Sequence, residues 1–157
     1  MDIIVELDIR DADTAEEVWA LQHPAYRAEA ALIGVADLPP LQDTVRTLQA
    51  CGETFLGLRN AEGELAGAVS YEQEEAGRYA ICRMMVHPDC MRRGIGSRLL
   101  GRLLSGLPAT AEWTVTAEIR NVPAIALYEK FGFVRRESFK PVPDIEMVRF
   151  VKPPSKG

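Results

Sequence analysis

Between Met84 and Leu100 the chain reads Met-Met-Val-His-Pro-Asp-Cys-Met-Arg-Arg-Gly-Ile-Gly-Ser-Arg-Leu-Leu, a strand-like stretch leading through a glycine-containing loop into helix-compatible sequence. The first turn of a helix presents unpaired N–H groups and a partial positive charge, which together attract an anion. Gly94 and Gly96 remove side chains where a diphosphate would approach the main chain, and Arg92, Arg93 and Arg98 add positive charge around it. The same residues also suit an ordinary helix start with arginines facing solvent, because a lone G-x-G is a short pattern.

A second segment bears on that choice. Asn121-Val122-Pro123-Ala124-Ile125-Ala126-Leu127-Tyr128-Glu129-Lys130-Phe131-Gly132-Phe133 follows the loop at one helix and one strand's distance. Ala124, Leu127, Tyr128 and Phe131 fall at i, i+3, i+4 and i+7, the stripe of a buried helix face, so periodicity alone leaves Tyr128 as either core or chemistry. Together the two segments closely resemble the GNAT superfamily of N-acetyltransferases. The resemblance is strongest from Ile81 to Val134 and extends to the order of the remaining elements.

The resemblance implies an acetyl-CoA-dependent enzyme that passes an acetyl group to a primary amine. It implies that the strand Met84-Met85-Val86 splays from its neighbour and pairs through its main chain with the pantetheine arm of the cofactor. The loop Arg92, Arg93, Gly94, Ile95, Gly96, Ser97 would hold the pyrophosphate, Asn121 would help position the cofactor arm, and Tyr128 would stand beside the sulfur as general acid. A hydroxyl there suits the chemistry, since the departing thiolate must be protonated or hydrogen-bonded as the tetrahedral intermediate collapses. The scheme calls for no metal.

Two positions depart from the family pattern. Met91 stands where glutamine or arginine is usual, although its amide remains available. Thr116 stands five residues before Asn121, where several members carry a catalytic glutamate, and threonine is no base at neutral pH. Glu118 shares a strand face with Thr116 about 7 Å further along, and Glu72 on a hairpin strand is the next candidate base. Each equally suits a solvated acidic surface. The need for a base depends on the acceptor: at pH 7 an ammonium of pKa ~10.4 costs about 4.6 kcal/mol to deprotonate and a peptide α-amine of pKa ~7.8 about 1 kcal/mol. Cys82 and Cys90 have no partner base recognisable in sequence, which favours direct transfer over an acyl-cysteine route.

The whole chain bounds these readings. Its 157 residues suit one domain, 1–157, and no repeat, linker or low-complexity stretch interrupts it. Hydrophobic residues make up 47% and charged residues 26%, with no run long enough to span a membrane. A formal net charge of −5 argues against nucleic-acid or acidic-lipid partners and is compatible with a cationic acceptor. Three cysteines, an odd count without zinc-like spacing, and an acidic start lacking a signal pattern point to a cytoplasmic protein.

The elements that must position the chemistry follow from periodicity. Ile3, Val5, Leu7 and Ile9 alternate as a strand, and Asp13 or Thr14 opens a helix through Trp19, Leu21 and Tyr26 that fades near Gly34. A short helix spans Leu41 to Cys51, and strands are expected at Thr54 to Arg59, Glu64 to Gln73 and Arg78 to Val86. A helix then begins at Gly94, a strand spans Trp113 to Ile119, a helix Pro123 to Phe131, and two strands Phe133 to Phe139 and Ile145 to Val151. Hairpins first and strand-helix-strand units later predict an α/β fold: a mixed, mostly antiparallel sheet with helices on both faces.

Two other readings stay open. A dinucleotide-binding domain needs a third glycine where Leu99 stands and a βαβ unit where the hairpins lie. A non-catalytic acyl-CoA-binding or interaction module would keep the fold without turnover, and the absent glutamate favours it. The acceptor itself, a small-molecule amine or a peptide amine, has no legible signature between Tyr26 and Leu41. Exposed strand edges give homodimer formation a route.

Overall fold

The computed structural model describes residues 1–155. Seven strands, β1 (Ile3–Leu7), β2 (Thr54–Arg59), β3 (Leu65–Glu75), β4 (Arg78–Val86), β5 (Glu112–Glu118), β6 (Val134–Val142) and β7 (Ile145–Lys152), form one sheet in the order β1-β2-β3-β4-β5-β7-β6. Every pairing is antiparallel except β4 with β5. Helices α1 (Ala12–Ile33) and α2 (Val45–Gln49) cover one face, burying Val18, Leu21, Ile33 and Leu48 against Phe55 and Met85. Helices α3 (Ile95–Ser105) and α4 (Val122–Lys130) cover the other, where Leu99, Leu100, Ile125 and Tyr128 meet Leu58, Val69, Trp113 and Phe150. The mixed sheet with helices on both faces is the architecture expected from the sequence.

Two starts differ from expectation. Helix α1 is capped by Asp11, whose carboxylate accepts the Thr14 amide at 3.0 Å and the Thr14 hydroxyl at 2.9 Å, so the helix begins before the Asp13 and Thr14 candidates. The single helix expected from Leu41 to Cys51 is divided. A 3-10 turn at Pro39–Gln42 ends at an extended Asp43, and α2 restarts behind a Thr44/Thr47 capping box. Asp43 is extended where its carboxylate is drawn inward to Arg83.

That arginine organises the α1 face. Arg83 lies on β4 beside a bulge, where Ser70 pairs with Arg83 and Tyr71 with Ile81, leaving Cys82 as the extra residue. Its guanidinium donates to Glu53 at 2.9 Å, to Gln22 of α1 at 3.0 Å and to Asp43. Gln22 in turn donates to the Pro40 carbonyl at 2.9 Å and to Asp43 at 2.8 Å, and Ser70 donates to Glu53 at 2.6 Å. Sheet, α1 and the approach to α2 are thereby fastened at one point.

Strands β4 and β5 part along their length. Only Arg78, Tyr79 and Ala80 pair with Glu112, Trp113 and Thr114. From Ile81 onward β4 pairs with β3 alone, and from Val115 onward β5 pairs with β7 alone, so the sheet opens into a wedge between them.

Replacing one member of a buried ion pair leaves the others desolvated and uncompensated, a loss of about 3–5 kcal/mol. Arg83→Ala is therefore expected to unfold at markedly lower urea concentration, whereas Arg59→Ala, which breaks the more exposed pair with Glu17, should cost about 1 kcal/mol or less. Burial raises the Asp43 pKa, but hydrogen bonds from Arg83, Thr47 and Gln22 outweigh it and hold the carboxyl below its ordinary value. Its contribution to wild-type stability is thus present above the unfolded value of ~3.9 and lost as pH falls through the lower folded one. Without Arg83 the sign reverses, so the variant's melting temperature should rise between pH 7 and pH 5. A flat or falling profile in the variant would show the network to be solvated.

Candidate active site

At the open end of the wedge the chain leaves β4, makes a 3-10 turn at Pro88–Cys90 and reaches α3 through a loop of unusual backbone. Arg92 is the single non-glycine with positive φ (64°) among the described residues, and Gly94 follows at φ 73° as the N-cap of α3. A Cβ built on Gly94 meets open space, so glycine is needed there for conformation and leaves the main chain bare to an approaching ligand. The first intrahelical bond runs from Arg98 to the Gly94 carbonyl at 3.0 Å, which leaves the amides of Ile95, Gly96 and Ser97 without helical partners. Arg92 and Arg93 are exposed beside them.

One of the sequence assignments around this loop changes. Arg98 turns away to Asp2, with its guanidinium 3.2 Å from the carboxylate. Lys130 of α4 takes its place, its Nζ donating to the Ser97 hydroxyl at 3.3 Å, a cation that sequence spacing did not single out. Gly96 has a packing reason as well as a binding one, since a Cβ there would stand 3.3 Å from the Leu127 side chain of α4.

Inside the wedge, Met84 and Val86 are half-buried while Met85 turns into the α1 core, 2% exposed. Tyr128 enters from α4. Its residue is 4% exposed and its hydroxyl has no hydrogen-bond partner among the described residues, yet no buried side-chain oxygen there is orphaned. The phenol oxygen therefore keeps a small accessible surface of its own. Burial, reinforced by the negative charge of Glu29, raises the Tyr128 pKa far above the ordinary phenol value and keeps the group a donor.

Asn121 caps α4, its Oδ1 accepting the Ala124 amide at 3.3 Å, while its Nδ2 donates to Glu29 of α1 at 2.6 Å. Both ends of this side chain are thus engaged within the protein. Tyr26, one helical turn before Glu29, faces the same side of α1 and lies beside the Met84 amide, buried so that its phenol too stays protonated. Helix α1 accordingly reaches from β4, at Tyr26, to the N-cap of α4, at Glu29. Neither Tyr26 nor Glu29 was singled out in the sequence as part of the site. The available signal was a carboxylate three residues beyond a tyrosine on the buried stripe of a helix.

The two candidate bases lie elsewhere. Glu118 is held by Arg120 through Nε at 3.0 Å and Nη2 at 2.7 Å, and it also accepts the amides of Arg120 at 2.7 Å and Glu146 at 3.1 Å. The Arg120 side chain is the main cause that lowers its pKa to about 2, and so weak a base anchors the β5–α4 turn rather than taking a proton. Glu72 is exposed and stands opposite Ala80, where β4 and β5 are still joined, outside the wedge. Cys82 is equally unsuited as a nucleophile, because burial of its sulfur and the charges of Glu53 and Glu72 push its thiol up to about 12.

Known proteins resemble this chain in sequence and in fold. A family model described as the acetyltransferase (GNAT) family matches residues 10–133. The UPF0157 protein YqkA of Bacillus subtilis is 38% identical over 134 residues, which cover 85% of this chain and 38% of that protein. The ribosomal protein bS18-alanine N-acetyltransferase of Salmonella typhimurium is 34% identical over 84 residues, covering 52% of this chain and 57% of its own. This chain therefore spans well under two thirds of the length of these relatives. In structure, the ribosomal-protein-S18-alanine N-acetyltransferase of Escherichia coli superposes with a TM-score of 0.78 at 20% identity, covering 100% of this chain and 96% of that one. With the family model spanning both the loop before α3 and the Asn121 to Phe133 segment, the chain belongs to the GNAT family of acetyltransferases.

Proposed function

We propose that this chain, acting as a single domain, transfers the acetyl group of acetyl-CoA to a primary amine by direct attack on the thioester. The observation that carries the reading is the wedge between β4 and β5, with the bare loop at Gly94 at its mouth and the Tyr128 hydroxyl inside. Main chain from Met84 to Val86 would pair with the pantetheine arm, and the amides of Ile95, Gly96 and Ser97 with Arg92, Arg93 and Lys130 would take the pyrophosphate. The bound cofactor supplies an activated acyl group. The protein holds it beside the amine, which by proximity alone removes several kcal/mol from the barrier.

Tyr128 serves as the donor to the departing sulfur. A thiol of pKa ~8.5 against a phenol of ~10 makes full transfer uphill by about 2 kcal/mol even before the phenol is buried, so its main contribution is a hydrogen bond to the developing thiolate. Asn121 holds α4, and Tyr128 with it, in register with α1. Free thiols at Cys51, Cys82 and Cys90 support a reducing, cytoplasmic setting, and the edge strand β6, exposed along its length, offers a route to a homodimer. The relative that acetylates an alanine amine supports a peptide α-amine among the acceptors, beside small-molecule and lysine-type amines.

Acetyl-CoA at a hundredfold excess over its dissociation constant should add about 2.7 kcal/mol to stability, while NAD should add nothing. A melting temperature unmoved by millimolar acetyl-CoA would remove the cofactor assignment. Gly94→Val forces a branched residue into positive φ at the bare loop and is expected to weaken acetyl-CoA binding at least tenfold with the remaining fold intact. Binding within twofold of wild type would mean that the pyrophosphate sits elsewhere.

Tyr128→Phe keeps the ring packed between Phe133 and Phe150 and deletes only the hydroxyl. Its kcat, read as thiol release with an alanine-initiated hexapeptide or with the ε-amine of Nα-acetyl-lysine amide, should fall about 10²-fold at unchanged acetyl-CoA affinity. Wild-type turnover in the variant would return Tyr128 to the core.

A further inference from the structure

The carboxylates in and around the wedge differ in one respect. Glu118 is tied to Arg120, and Asp43 and Glu53 are tied to Arg83. Glu29 is half-buried and in no ion pair among the described residues; its recorded partner is the neutral Asn121 amide, which occupies Oε1 and leaves Oε2 without a protein donor. Glu29 also belongs to α1, the helix that carries Tyr26 to the Met84 amide on the opposite arm of the wedge. The charge of Glu29 reaches both phenols, since it contributes to raising the pKa of Tyr26 and of Tyr128.

We propose that Glu29 is the general base of the reaction, with Asn121 as the residue that positions it; this rests on the acetyl-transfer reading above. Its carboxylate draws the acceptor ammonium into the wedge and takes one proton from nitrogen, which leaves to solvent. The neutral amine then attacks the thioester carbonyl, so that a C–N bond forms and the C–S bond breaks. The second nitrogen proton passes to the departing sulfur, whose developing charge the Tyr128 phenol meets with a hydrogen bond, and the products are the amide, free thiol and one released proton.

The surroundings suit this task. Burial and the neighbouring charge of Glu118 raise the Glu29 pKa, and the Asn121 hydrogen bond offsets only part of the rise, so the group is a stronger base than an ordinary carboxylate. The charged and titratable groups around it are accounted for. Glu118 on β5 is paired with Arg120, the phenols of Tyr26 on α1 and Tyr128 on α4 are protonated, and Arg83 on β4 is engaged by Asp43 and Glu53. The position also answers the threonine at 116. A base arriving from α1 on the β5 side of the wedge makes a glutamate on β5 itself unnecessary.

Glu29→Gln removes the basicity but keeps the size and an oxygen for the Asn121 amide. Thiol release is measured for wild type and variant from pH 6 to pH 9.5 with the ε-amine of Nα-acetyl-lysine amide and with the alanine-initiated hexapeptide, alongside acetyl-CoA binding by thermal shift. With the lysine amine, kcat/KM of wild type should be level from pH 7 to pH 9, while that of the variant should start about 10²-fold lower at pH 7 and climb nearly tenfold per pH unit as free amine accumulates. With the α-amine the two enzymes should converge near pH 8, about one unit earlier, because that amine has pKa ~7.8. Acetyl-CoA binding should be the same in both.

A ratio between wild type and variant that does not change with pH would overturn the base and leave Glu29 a structural carboxylate, with the transfer reading intact. Wild type that neither binds acetyl-CoA nor releases thiol to either amine would instead overturn the transfer reading, and the base with it.

Discussion

The structure depends on the parting of β4 and β5. Parallel pairing holds for three residues and then fails, so two strand edges face each other with no partner inside the sheet. Main-chain amides and carbonyls abandoned in this way cost free energy unless something else meets them. In this chain Tyr26 of α1 lies beside the Met84 amide, and the rest of the gap is the opening itself. A wedge with a row of main-chain groups on one wall suits an extended amide-bearing molecule such as the pantetheine arm.

Keeping the wedge open requires both arms to be rigid. The β5 arm is fixed by its pairing with β7 and by the Glu118–Arg120 clamp, which accepts the Glu146 amide and so ties the β5–α4 turn to the start of β7. The β4 arm is fixed by β3 and by Arg83, whose partners come from α1, from the segment before α2 and from the turn before β2. Helix α1 spans the two arms, anchored by Gln22 at the Arg83 network and by Glu29 at Asn121.

This division also separates the electrostatic roles of the acidic residues. Those matched with arginine are structural, since a guanidinium lowers the carboxyl pKa and consumes its lone pairs. Glu29, matched with an amide, keeps its charge available and its basicity raised. At the mouth the polarity reverses: Arg92 and Arg93 are exposed beside the first-turn amides of α3, and Lys130 donates to Ser97 there.

The sequence alone determined the order of elements and the faces of the sheet, because alternation and 3.6-residue periodicity are local and because Gly34, Gly94 and Gly132 mark positive-φ ends that few other residues tolerate. The loop from Arg92 to Ser97 and the helix bearing Tyr128 were legible for the same reason, each being a contiguous run whose backbone or stripe carries its meaning. What only the tertiary structure decided is who meets whom across the sheet. Glu29 and Asn121 are 92 residues apart and Arg83 lies 61 from Gln22, distances over which no periodicity speaks. Glu118 looked like a free carboxylate because its neighbour Arg120 could have pointed anywhere on a strand end, and the turn closed by Glu146 brought them together. Likewise Arg98 went to the distant Asp2 and Lys130 came to Ser97. Charge partners are selected by packing in three dimensions, and a sequence records only the charges.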